Sequence, residues 1–288
     1  MATTDYDGFN TFLHWITPSD ADREKAASHR ASIYSKLDDS YGLYRMFQSG
    51  SFSHGTGVKG FSDVDYFVSL KSTQPDWSST ILNSMKAALE ARFPSTTVRV
   101  SRPAIVLEFG GGYEKVEIIP AYSQGSVNDG VKFQIPGVGT EWLESTPEAH
   151  LKYVNACNQL PIRGHAKSFA RLVKAWKYYR AVPISSFYLE MRAAAYIARQ
   201  SSVVYSYDLY LFLKELQDSQ LAAMNDPTGS TGRIYACSSD ATRRDALSKL
   251  DTAVSRARNA LDSHKAGKES EAFYYWNQLF NEKFPSYG

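Results

Sequence analysis

Asp63 and Asp65 flank Val64 in a run where Val64, Tyr66 and Val68 alternate with Asp63, Asp65 and Phe67. That period of two predicts a strand over residues 62–70. Strand geometry puts the two carboxylates on one face, with Cα atoms about 6–7 Å apart. Two acids side by side on an otherwise apolar strand repel each other and lose hydration. A divalent cation removes that cost, and Mg2+ takes oxygen ligands from one or two carboxylates plus phosphates. A third acid would complete a two-metal site. Glu117, within Val116-Glu117-Ile118-Ile119-Pro120, is the candidate because its neighbours predict a buried strand. Glu108 competes for that role, but the Ile-Pro-Ala-Tyr following Glu117 favours Glu117.

Gly50-Ser51 stands upstream, in a Gly- and Ser-rich loop over residues 49–60. Alone, D-x-D is ordinarily a solvated strand face, and a lone Gly-Ser carries little. Together, Gly-Ser, a short loop, D-x-D in an apolar strand and a later buried acid predict metal-assisted chemistry on a phosphate. Backbone N–H groups near Gly50 and Ser51, with the Ser51 hydroxyl, could form a nest for the anion. The loop also contains Gly55-Thr56-Gly57-Val58-Lys59-Gly60, a literal G-x-G-x-x-G. It precedes a strand instead of following one, so the dinucleotide-binding reading is rejected. His54 invites a general-base role, yet a solvated loop histidine is the plainer reading. Cys157 and Cys237 read as packing or surface residues.

Around these residues the elements alternate in type. Thr17-Pro18 predicts a helix from 17 to about 40 that buries Ile33, Tyr34 and Leu37. Residues 44–48 read as extended. A helix over 76–93 carries Ile81, Met85 and Leu89 on one face, and Pro94 stops it. Strands are predicted at 97–101, 104–109, 115–122 and 132–135, with a Gly110-Gly111-Gly112 turn. From Thr146 the pattern is helical, at 147–158, 164–180, 186–200, 207–223, 240–264 and 269–283, with a loop at 226–229. Lobes of 1–145 and 146–288 follow, in an α+β fold. At 288 residues and 43% apolar composition, the chain can bury a core without staples.

Lys and Arg number 32 against 30 Asp and Glu, a formal balance of +2. So small an excess disfavours duplex DNA as a partner, because counterion release needs many phosphate contacts. Two cysteines and six histidines without H-x-x-x-H spacing predict no structural metal. No apolar run suits a signal peptide or a membrane span, so no membrane association and a cytoplasmic location are expected.

Ser49-Gly50-Ser51-Phe52 through Ser62-Asp63-Val64-Asp65 resembles the signature of the DNA polymerase β-type nucleotidyltransferases. Val116 to Tyr122 is similar to the third-acid strand of the oligoadenylate synthetase and cyclic GMP–AMP synthase branch. Leu172-Val173-Lys174-Ala175-Trp176-Lys177 and Ile184-Ser185-Ser186-Phe187-Tyr188-Leu189-Glu190 resemble the bacterial CD-NTases, cyclic oligonucleotide synthases of anti-phage signalling. The resemblance spans about residues 17–284. It implies a polymerase β-like lobe with a mixed sheet, followed by a helical lobe.

It further implies two Mg2+ ions, or Mn2+, on the catalytic and metal-binding acids Asp63, Asp65 and Glu117. A hydroxyl of one nucleoside triphosphate would then attack the α-phosphorus of another. Gly50, Ser51, Lys177, Ser185 and Ser186 match positions that contact phosphates, with Lys174 a further candidate and Phe187 the base-stacking position. For the lysines the plain alternative is an exposed basic helix face, and for Phe187 it is core packing. Ser145, where pyrimidine-using relatives tend to carry Asn, leans towards ATP or GTP. The third acid is Glu where Asp is usual, and the zinc-binding insertion of the animal DNA sensor is missing, so activation by DNA is not expected. Alternatives are a template-independent transferase acting on RNA or a small acceptor, and an inactive nucleotide-binding scaffold. A regulatory partner, or conjugation through Gly288, is also consistent with the resemblance.

Overall fold

The structure is a computed structural model that describes residues 2–21, 24, 28–61, 63–112, 114–127, 130–159, 163–230 and 232–288. It divides into two units, 18–57 with 62–152, and 1–17 with 58–61 and 153–288.

The first unit is built on a mixed sheet. Its strands β1 (Leu43–Ser49), β2 (Val64–Leu70), β3 (Thr97–Ser101), β4 (Ala104–Phe109) and β5 (Glu114–Val127) lie in the order β1-β2-β5-β4-β3. Only the β2–β5 pair is parallel. The far half of β5 pairs with β6 (Gly130–Pro136), which pairs with β7 (Trp142–Ser145), a strand the sequence reading lacks. Helices α2 (Arg30–Tyr41) and α4 (Ser78–Arg92) supply Ile33, Leu37, Ile81, Met85 and Leu89 to a core with Val64, Tyr66, Val68, Val116 and Ile118. The opposite sheet face buries Phe67, Ile119, Ala121, Phe133 and Ile135. Odd-numbered positions of β2 and β5 therefore share one face, on which Asp65 and Glu117 precede Phe67 and Ile119 along their strands.

Part of the helix predicted over 17–40 falls on 22–23 and 25–27, outside the described residues. Among those described, a turn at Ser28-His29 precedes α2, which ends where Gly42 adopts φ +64°. Ile33 and Leu37 are buried, but Tyr34 is a correction. One residue turns a helix by about 100°, and Tyr34 is 36% exposed.

The second unit is helical. It contains α1 (Asp5–Ile16), α6 (His165–Tyr179), α7 (Ser186–Ile197), α8 (Tyr205–Asp218), α9 (Asp240–Lys265) and α10 (Glu269–Leu279). The loop predicted at 226–229 is a turn, flanked by the short paired strands β8 (Met224–Asn225) and β9 (Arg233–Ile234). Helix α5 (Pro147–Gln159) contains the boundary between the units. Positive φ at Gln220 and Leu221, and again at Asn281 and Glu282, accompanies ends of α8 and α10 earlier than those predicted. Helix α1 was not anticipated, although Phe9, Phe12 and Ile16 have helical spacing. It groups with the helical unit because Phe9 packs edge-on against Trp276, at 5.1 Å between ring centroids, and Phe12 lies 4.4 Å from Phe280. The linear boundary near 145 places these residues with the sheet; the contacts reach to the far end of the chain. Among the described residues, no helix is long and apolar enough to cross a membrane.

Candidate active site

In the sheet unit, parallel pairing of β2 with β5 sets Asp65 directly beside Glu117. Adjacent strands lie about 4.8 Å apart, so these carboxylates are lateral neighbours on one face. Asp63 stands two residues before Asp65. Its carboxyl is pushed up to about 6, first by burial and next by the charge of Glu117, against partial relief from Lys115 and Arg99. Asp63 therefore senses the third acid electrostatically. Glu108 also raises Asp63 slightly, but its carboxylate is taken up by an ion pair with Arg99 at 3.3 Å.

Gly50 has φ +62°, and any Cβ added there would collide with Asp65 Oδ2. Only glycine lets the backbone lie against that carboxylate. Gly50 and Ser51 open α3 (Gly50–His54), a single turn whose end is fixed by the Thr56 N–H donating to the Ser51 carbonyl at 2.9 Å. Ser49 registers with Asp65 across β1–β2, and its hydroxyl oxygen is buried without a hydrogen-bond partner. His54 is a correction: it is 4% exposed, not solvated, because the loop folds into this helical turn. Asp63, raised first by burial and then by the charge of Glu117, offers with Asp65 and Glu117 an all-oxygen donor set of the kind a hard divalent cation takes.

In the helical unit, Lys177 belongs to the last turn of α6, and Ser185 is the N-cap of α7. Ser185 Oγ accepts from the Tyr188 N–H at 3.3 Å, while its own N–H donates to the Ala236 carbonyl at 2.7 Å. Lys177 Nζ donates to Ser186 Oγ at 2.5 Å and lies 4.6 Å from the centre of the Tyr178 ring. Burial, then the Lys174 charge, pushes the Lys177 ammonium down to about 8. Phe187, on the same turn as Ser186, is 37% exposed and not core. Tyr178, whose hydroxyl lies 3.2 Å from Ser186 Oγ, joins this group unanticipated. Its ring stacks on Phe61 at 5.1 Å and 12°.

Lys174 is a correction. Its ammonium is 3.0 Å from Glu190 Oε2, and both side chains are buried, at 1% and 5% exposure. Breaking such a pair would strand a buried charge, so Lys174 serves the core of α6 and α7. Lys177 lies three residues further along the same helix, turned out of that core.

A profile of the Second Messenger Oligonucleotide or Dinucleotide Synthetase domain, SMODS, matches residues 1–158. The chain belongs to this family. It is a CD-NTase, a nucleotidyltransferase of the kind that synthesises oligonucleotide or dinucleotide second messengers. Solved structures agree in fold. The Escherichia coli MS115-1 CdnC bound to ATP superposes with a TM-score of 0.78 at 19% identity, covering 98% of this chain and 99% of that one. CdnG of Bradyrhizobium diazoefficiens in complex with GTP gives 0.73 at 13%, covering 97% of each chain. Vibrio cholerae DncV with the linear intermediate 5′ pppA(3′,5′)pG gives 0.67 at 15%, covering 98% of this chain and 87% of that one. No curated protein matches the chain.

Proposed function

We propose that this CD-NTase performs its transfer on Asp63, Asp65 and Glu117, with purine nucleoside triphosphates as substrates and a cyclic di- or trinucleotide as product. The observation that carries this reading is the pairing of Asp65 with Glu117 beside an Asp63 whose carboxyl is raised. Mg2+, or Mn2+ in its place, would be held by these three acids and would neutralise the triphosphate and acidify the attacking ribose hydroxyl.

The remaining work belongs to the chain. Gly50 leaves room beside Asp65, and the Ser51 hydroxyl with nearby backbone N–H groups binds β- and γ-phosphate oxygens. Lys177, Ser185 and Ser186 are assigned to the triphosphate tail, and Phe187 to the face of a base. The ribose oxygen forms a bond to the α-phosphorus while the α–β bridging bond breaks. Pyrophosphate leaves with the bonding electrons, and the hydroxyl proton passes to solvent. A final, intramolecular transfer closes the ring. We assign the product to anti-phage signalling. The CdnC:HORMA-deltaN complex of Escherichia coli MS115-1 supports looking for a protein partner here as well.

The test is incubation with labelled triphosphates and Mg2+, followed by phosphatase. Phosphatase-resistant product from the wild type, absent from Asp63→Asn/Asp65→Asn, supports cyclisation. A phosphatase-sensitive ladder, or labelled acceptor RNA, favours a template-independent transferase instead.

A further inference from the structure

Away from the sheet acids, a second group of metal-ligating side chains lies wholly within the helical unit. Asp5 is the first residue of α1, His264 lies in the last turn of α9, and Glu269 is the first residue of α10. One potential ligand atom from each falls within 4.8 Å of the other two. His264 Nδ1 is 2.8 Å from Glu269 Oε1. Asp5 Oδ1 accepts from Trp276 Nε1 at 3.2 Å, which fixes the carboxylate.

Helix termini account for part of this arrangement. Acids favour helix N-termini, and histidine favours a C-terminus. They leave two oxygens unexplained. Asp5 is 6% exposed, and its Oδ2 is buried without a hydrogen-bond partner, as is Oε2 of Glu269. The Ser206 hydroxyl on α8 interacts favourably with the Asp5 carboxylate, yet Oδ2 itself has no hydrogen-bond partner. Buried carboxylate oxygens are costly unless paired or bound to a metal.

We propose that Asp5, His264 and Glu269 form a site for one borderline transition-metal cation of the Zn2+ class, joining the start of α1 to the turn between α9 and α10. Imidazole nitrogen with two carboxylates suits Zn2+ better than Mg2+, which prefers oxygen throughout. Ligand bonds of about 2.0–2.2 Å require the three side chains to draw slightly inward, and water completes the shell. Spacing rules miss the set because its members come from opposite ends of the chain. The site is independent of the catalytic assignment, and its cation would be structural, clamping the unit that carries Lys177 and Phe187.

The experiment uses full-length Asp63→Asn/Asp65→Asn protein, so that the sheet acids do not take up zinc. Chelator-stripped protein is titrated with Zn2+ by calorimetry, and Co2+ is added in parallel to read its visible absorption. One equivalent should bind with a Kd of about 10 μM or tighter, raise Tm, and give a Co2+ spectrum unaffected by millimolar Mg2+. His264→Gln and Glu269→Gln, both at partly exposed side chains, should each weaken binding about tenfold or more. Absence of binding at about 1 mM Zn2+, or affinity unchanged in His264→Gln, overturns the proposal.

Discussion

Gly50→Ala would place a methyl group into the Asp65 carboxylate and demand a positive φ from a residue with a side chain. Product formation should fall by at least about a hundredfold, since displacing a reacting group by about 1 Å costs that much. Circular dichroism should remain near wild type. Lys177 gives a second residue-scale prediction. Its ammonium titrates near 8, so in the free protein the charge is present below that pH and lost above it. If this charge holds the triphosphate, KM should climb as pH rises beyond 8, and Lys177→Arg should flatten that limb. A rise of the same slope in the arginine variant would remove Lys177 from the site. The same helix marks where residue types stop being informative. Lys174 and Lys177 are three apart in a basic run, and only the distant Glu190 decides which is taken into the core.

Elements were legible where local periodicity and punctuation agreed. Strand bounds at 97–101 and 104–109 match the expectation, because alternation and the glycine triplet mark them locally. Pairing partners were not legible. Placement of Glu117 beside Asp65 depends on parallel pairing between strands separated by a helix and two further strands, which no local pattern encodes. Helix α1 shows a different loss. Its apolar residues have the right spacing, but their partners are Phe280, Phe284 and Trp276 at the other end of the chain. Phe12 has no exposed surface, so Phe12→Ala should destabilise the helical unit by about 3–5 kcal/mol. Chemical denaturation followed by tryptophan fluorescence reads that loss. A change under about 1 kcal/mol would mean α1 is dispensable to this core.

At the scale of the whole molecule, the acid cluster sets catalytic demand against stability. Asp63 has a carboxyl pushed from 3.8 up to about 6, so the folded metal-free chain binds this proton more tightly than the unfolded chain does. The favourable contribution is therefore fullest below pH 4 and is lost as pH rises through about 6. At pH 7.5 the ionised group is a net burden, about 1–2 kcal/mol after allowance for its partial exposure. Asp63→Asn removes both the charge and its repulsion with Glu117. The metal-free variant should melt a few degrees above the wild type at pH 7.5, and this advantage should vanish near pH 4. Saturating Mg2+ should reverse the ranking, because a cation bound only by the folded state stabilises it by mass action and the variant has lost a ligand. Calorimetric melts of both proteins, with chelator and with Mg2+, test both halves. If Asp63→Asn lowers Tm without metal, the carboxylate is instead held by favourable contacts in the folded state, and the three acids are not a site awaiting a cation.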